Sequence, residues 1–302
     1  MLRKWKFALL AVLPVFFMAA CDADENTMDG EKGDLKLFMT DAPIETDGIE
    51  SVFITFTEIQ YQTEDGDWST FDEFDEPVEL DLLELTRGET ELLGLFEMEP
   101  GVYNQIRFML DAPERGQGPP STPGSYLVFE DGSTTPLFVP SGGQSGYKAV
   151  GQFEIPANAI AEVTADFDAR RSVVRAGQSG MYILKPTIRL VSNIVSGRIT
   201  GDVVNIPAES EIMVYVYESG TYTDNEASEP AEEDIRFPNA INSDQADEDD
   251  SYHLDFLREG DYDLVVTSAN SEGEFVEVLG MIEDVTVEAG ETTILDIDIE
   301  EL

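Results

Sequence analysis

The residues able to do chemistry in this chain are unevenly supplied. One histidine and one cysteine stand against 63 Asp and Glu and 17 Lys and Arg, for a net charge of −46. A Ser-His-Asp relay would have to use His253, which lies in the strand-like run SYHLDF, far from any glycine-flanked serine elbow. Cys21 follows two alanines at the end of an apolar leader, a place for lipid attachment and not for thiol catalysis. Zinc lacks nitrogen and sulfur ligands. Calcium would need oxygens, which Asp65, Asp67 and Asp72, or the acids at 247–250, offer. Neither stretch has the alternating Asp pattern closed by a Glu of a calcium loop. No spacing singles out a glycosidase-like carboxylate pair. The expectation is a non-enzyme with no cofactor, no metal and no catalytic set.

What does stand out is positive charge gathered within an acidic chain. Six of the ten basic residues between positions 34 and 192 are Lys148, Arg170, Arg171, Arg175, Lys185 and Arg189. Guanidinium forks could bind an anionic group. The plainer reading, and the favoured one, is internal ion pairing with Asp41, Asp166 and Asp168. Alternation along 161–168 sends Ala161, Val163, Ala165 and Phe167 inward and Glu162, Thr164, Asp166 and Asp168 outward. Continued, it keeps Arg170 outside and turns Arg171 into the core toward Asp41. Trp68, Phe71 and Phe74 offer a stacking surface for a sugar, or simply core.

The elements that must position these residues are strands. The stretch 153–190 holds two alternating runs, Ala161-Val163-Ala165-Phe167 and Tyr182-Leu184-Pro186-Ile188-Leu190, separated by a polar turn. Similar short runs recur at 35–39, 52–61, 78–82, 92–96 and 103–110, and again at 195–203, 212–216, 262–266 and 294–299. The acidic segment 64–76 reads as a loop around Asp65-Gly66, and 82–95 has room for a helical turn. No long 3.6-residue period occurs. The fold class is all-β, with two β-sandwich domains in tandem. Residues 285–299 also lie on 153–167 at a constant offset of 132, apolar on apolar, and Gly101-Val102-Tyr103 echoes Gly260-Asp261-Tyr262. The first domain therefore reads as an enlarged relative of the second, its extra material lying mainly at 111–148 and after 168.

Residues 1–20 form a targeting segment: Arg3, Lys4 and Lys6, then an apolar stretch too short to span a bilayer, then Ala19-Ala20-Cys21. This is a lipobox with Met18 where leucine is usual, and Cys21 is the expected lipidation site. An ordinary secretory signal followed by a chance cysteine is the alternative. Residues 21–33 read as an acidic tether. Charge of this size repels nucleic acid and anionic headgroups. Its even spread suits solvation in a salty, halophilic setting more than cation capture.

The motifs LFMTDAP at 37–43, LDLLEL at 80–85, PGVYNQIRFML at 100–110, FVPSGGQSGYK at 138–148 and DFDARRSVVRAGQSGMYILKPTIR at 166–189 resemble one bacterial lipoprotein family, the domain of unknown function numbered 4382. The resemblance implies a β-rich envelope domain over about 34–191. Residues 196–299 resemble the transthyretin-like, or carboxypeptidase regulatory-like, sandwich modules of secreted proteins, departing through a lengthened acidic loop at 224–250.

The domain plan is thus 1–20, 21–33, 34–192 and 193–302. The function expected is a lipid-anchored envelope module that binds or spaces, on a membrane through its N-terminal lipid. The outer membrane or cell surface is favoured over the inner membrane. Candidate partners are a polysaccharide, matrix or an envelope protein, and no nucleic acid. The rival is a carboxylate-dependent enzyme of glycan metabolism.

Overall fold

The computed structural model describes residues 32–42, 48–63, 65–113, 124–140, 146–176, 180–231, 234–247, 249–271 and 273–302. The leader, Cys21 and all of the tether but its last two residues lie outside the described residues. Those last two already belong to the fold. Lys32 pairs with Glu97 at 2.7 Å, and Gly33 opens the first strand.

The first unit runs through β1 (Gly33–Ala42), β2 (Ile49–Gln62), β3 (Trp68–Asp81), β4 (Glu91–Met98), β5 (Gly101–Leu110), β6 (Tyr126–Phe129), β7 (Thr134–Phe138), β8 (Tyr147–Ile155) and β9 (Ile160–Asp168). One helical turn, α1 (Ala169–Ser172), leads to β10 (Val173–Arg175), β11 (Tyr182–Leu184) and β12 (Ile188–Ser192). The second unit has β13 (Ser196–Val204), β14 (Ser210–Glu218), β15 (Asn242–Gln245), β16 (Ser251–Arg258), β17 (Gly260–Asn270), β18 (Phe275–Val287), β19 (Thr292–Ile294) and β20 (Ile297–Asp298). The chain is all-β, as its alternating pattern requires.

The second unit is a sandwich of two four-stranded sheets. One has the order β15-β14-β17-β18, and the other is β16-β13-β19 with β20 also on β13. The first unit repeats both. Its β3-β2-β5-β8 follows the order of β15-β14-β17-β18, and β4-β1-β9 follows β16-β13-β19, with the same antiparallel and parallel senses. Here β12 adds to β8 on one side and β9 on the other, so the two layers join into one twelve-stranded sheet around a single core.

The repeat holds at the level of register. Gly101 and Tyr103 pair with Ile155 and Phe153, while Gly260 and Tyr262 pair with Val287 and Val285, the same offset of 132. Tyr103 donates its hydroxyl to Glu99 O at 2.9 Å, and Tyr262 does the same to Arg258 O at 2.7 Å. Gly33 and Gly197 fill one role: a Cβ there would stand 2.1 Å from Pro156 O or 2.3 Å from Glu288 O, so only glycine lets the strand pass the turn. The extra strands β6, β7 and β10–β12 fall where the enlarged intervals place them.

Three expectations need correction. Residues 68–76 are no loop: once the Thr63 N–H has bonded Asp67 O at 2.8 Å the chain enters β3, which pairs with β2 along its length. An edge strand with acids on it remains soluble and resists pairing with other chains, so its polarity hides its form. The run 182–190 is not one strand. It breaks around Pro186, which has no N–H for a ladder, into β11 on β7 and β12 between β8 and β9. On β9, Thr164, Asp166 and Asp168 are as buried as the apolar residues between them.

Candidate functional site

The outer side of β9 is buried because the second unit lies against it. Arg189, on the neighbouring β12, holds Asp166 through Nε at 2.7 Å and Nη2 at 2.5 Å. Asp168 caps α1, accepting the Arg171 N–H at 2.9 Å, and Asp41 accepts the Ala169 N–H at 2.8 Å. The strand has therefore turned into a helical turn by Ala169, and alternation no longer applies. Arg170, not Arg171, is the buried guanidinium, with 8% exposure. It reaches across to the second unit, donating from Nη1 to the Arg236 and Phe237 carbonyls at 3.0 and 3.1 Å over the ring of Tyr215. Arg171 stays half-exposed beside Asp168. The expected Arg171–Asp41 pair is replaced by a backbone cap.

More of this seam comes from residues the sequence did not single out. Arg87, at the tip of the turn before β4, donates from Nε to Asp244 at 3.2 Å and from Nη2 to Ser251 O at 2.5 Å, and also pairs with Asp247. Gly88 sits so close to Asp255 that a Cβ would meet its carboxyl at 3.0 Å. Arg198 lies 3.5 Å from Asp255, and Arg258 donates to Leu190 O at 3.1 Å. Burial raises the pKa of Asp41, Asp166 and Asp255, the last two despite Arg189 and Arg198 respectively. Burial pushes Asp244 up to about 6, against the His253 N–H and the Arg87 charge. Asp247 shifts down, held by the Ser251 N–H and by Arg87. Thr40, Asp41, Arg87, Asp166, His253 and Asp255 share a void of about 10 Å³, room for a water and no more. Among the described residues no three acids or histidines are placed to hold one metal ion.

The six basic residues thus serve different places. Arg170 and Arg189 tie the seam. Arg171 and Lys185 line a groove of about 580 Å³ facing Glu226, Glu229 and Asp234. Arg175 is exposed on β10. Lys148 lies elsewhere, on the outer face of β3-β2-β5-β8. There its Nζ is 5.5 Å from the Trp68 ring centre, and Arg107 Cζ stands over that ring, 3.7 Å from its centre. Among the described residues neither Arg107 nor Lys148 makes an ion pair. Around them are Gln60, accepting from Arg107 Nη1 at 3.2 Å, Gln62 opposite Trp68, and Thr70 opposite Gln60. Glu58 is held at 2.6 Å by both Gln60 and Thr70. Phe71, by contrast, stacks on Tyr61 and Phe96 and joins the core, and the Phe74 side chain lies outside the described residues. Arg107 was legible only as an outward position in a strand whose Tyr103, Ile106 and Phe108 point in.

Residues 32–186 match the family model described as a domain of unknown function, DUF4382. The chain belongs to the DUF4382 family. No curated protein matches it. Among solved structures, the minor pilin GBS52 of Streptococcus agalactiae is 12% identical, covering 87% of this chain and 94% of the pilin at a TM-score of 0.22. The Bacillus anthracis TIE protein is 11% identical over 89% of this chain, which spans about a third (34%) of that protein, at a TM-score of 0.20. A candidate carbohydrate binding protein of Pseudomonas aeruginosa is 14% identical, over 36% of this chain and 91% of its own, at 0.21. Likeness at that level carries no argument about this DUF4382 protein. No helix of its described residues is long and apolar enough to cross a membrane.

Proposed function

We propose that this DUF4382 protein is a non-enzymatic binding module of the cell envelope, held to a membrane by lipid on Cys21, whose transthyretin-like second unit braces the first. The observation that carries the reading is the outer face of β3-β2-β5-β8, where Trp68, Arg107, Lys148 and the Gln60 and Gln62 amides stand together on a rigid sheet. Planar aromatic surface with amides and cations around it suits a polar, ring-containing ligand. The rival enzyme reading finds no support at the seam, because the buried carboxylates there enclose a void too small for a sugar ring. The acidity fits a salty habitat, since the second unit spreads 30 acidic and three basic residues over 194–302.

The test is a screen of the purified chain against glycans and envelope proteins, with each hit repeated on Trp68→Ala. Binding lost in that variant while its melting curve is kept supports the module. Turnover of a glycan, or binding indifferent to Trp68, counts against it. For the anchor, Cys21→Ser should release the chain from membranes; unchanged partition would remove the lipid.

A further inference from the structure

The second unit shows what the outer face of this sheet looks like when it is merely structural. On β14 and β17, Met213, Tyr215, Tyr217 and Val265 point outward and are covered by Phe237 and Ala240 of the loop before β15. The same face of the first unit is polar. Cross-strand pairs carry Trp68 beside Gln62, Thr70 beside Gln60, Gln60 beside Arg107, Arg107 beside Lys148, and Gln105 beside the exposed Val150. At about 4.8 Å between strands, four strands span roughly 14 Å. That is the footprint of a short oligosaccharide and far more than one ion needs.

Resting on the binding reading above, we infer that this face takes a carboxylated glycan, a chain of uronic acid residues. Three features of the site favour it. The indole is fixed by the guanidinium stacked on it, so a sugar ring laid on Trp68 costs little further ordering. Beyond the bonds they make to Glu58 and to Gly66 O, the Gln60 and Gln62 amides each keep a second N–H, and the Thr70 hydroxyl keeps its lone pairs, for a sugar's hydroxyls. Two cations stand beside the ring, Arg107 with a fork suited to carboxylate and Lys148 exposed, and Glu58 on the same sheet face is already bonded to Gln60 and Thr70. In a chain of net charge −46 such a positive spot selects for an anion at short range only. Remote repulsion is screened beyond about 8 Å at physiological ionic strength. Nucleic acid and other long, dense polyanions pay that repulsion along their whole length, whereas a short uronide meets only the face.

The experiment is calorimetric titration of the full chain in detergent at 0.15 M salt. The probes are short oligogalacturonides, the same oligomers as methyl esters, polyglutamate and a single-stranded oligonucleotide. Binding of the free acid, weakened about tenfold or more by esterification, is expected, that being the order of a lost charge-assisted hydrogen bond. Arg107→Gln and Lys148→Gln should each weaken the acid by about the same factor and the ester by less, Arg107→Gln costing the ester more because it also frees the indole. Trp68→Ala should weaken both, with near-native melting curves throughout. Equal affinity for acid and ester would overturn the inference and leave the binding module standing. Equal or tighter binding of polyglutamate or the oligonucleotide would overturn it too, as binding of charge without a sugar. If neither a glycan nor an envelope protein in the wider screen binds, the module itself falls.

Discussion

Two copies of one four-stranded sheet sit in this molecule with opposite outer faces. In the second unit the central strands β14 and β17 are apolar on both sides, their outer side sealed by the loop that carries Phe237. In the first unit β3-β2-β5-β8 keeps the strand order and the Gly-x-Tyr corner, but shows Trp68, Arg107 and Lys148 outside. A shared scaffold with one sealed face and one polar face separates what the fold needs from what it does not. The corner, the glycine close approach and the inner residues recur because they hold the sandwich together. The outer residues of the first unit do no such service.

That comparison can be broken most directly at the seal. Phe237 is fully buried and stacked on Tyr215 at 4.4 Å. Phe237→Ala should cost about 3–5 kcal/mol in urea unfolding, as for a large aromatic lost from a core. Trp68→Ala, on the open face, should cost about 1 kcal/mol or less, mostly its contact with Arg107. Comparable losses would mean that both faces are structural.

The seam ranks next. Arg170→Met leaves the carbonyls of Arg236 and Phe237 without their donor and removes a buried charge, for a loss of about 3 kcal/mol. Arg171→Met, half-exposed, should cost under about 1 kcal/mol. The reverse ranking would place Arg171 in the interior.

How much of this was legible follows from the range of the contacts. The offset of 132 and the Gly-x-Tyr echo were readable because a repeated local geometry repeats its residues. The ranking of Arg170 over Arg171 was not, because it turns on Asp168 capping one helical turn, which resets the side-chain phase within a single residue. Pro186 marked the break between β11 and β12, yet alternation on both sides concealed it. Arg87 finding Asp244, 157 positions away, leaves no local trace at all. Asp166 looked solvent-facing because sequence alternation reports two sides of a strand and cannot say what lies on the outer one. For the candidate face, Trp68 and Lys148 were visible singly. Arg107, which joins them, was hidden in what read as an ordinary strand.

Smaller effects sharpen the same comparison. Tyr103→Phe and Tyr262→Phe remove equivalent corner hydrogen bonds and should each cost about 1 kcal/mol, equal within error. A large inequality would mean that the corners differ in role. At the seam, the raised pKa of Asp244 gives a signed prediction. Its contribution to stability is full below the unfolded value near 4 and lost as pH rises through about 6. Melting temperature should therefore fall across that window, and Asp244→Asn should flatten part of the fall. An unchanged profile in the variant would mean that Asp244 is not titrating there.

The central claim is that one sheet face is open and the other sealed. Hydroxyl-radical footprinting of the intact chain reads both at once. Trp68 should be oxidised readily in the folded protein, while Tyr215 and Phe237, buried at 1% and 0% exposure, should react only after unfolding. Protection of Trp68 equal to that of Phe237, or ready oxidation of Phe237 in the native state, would contradict the account.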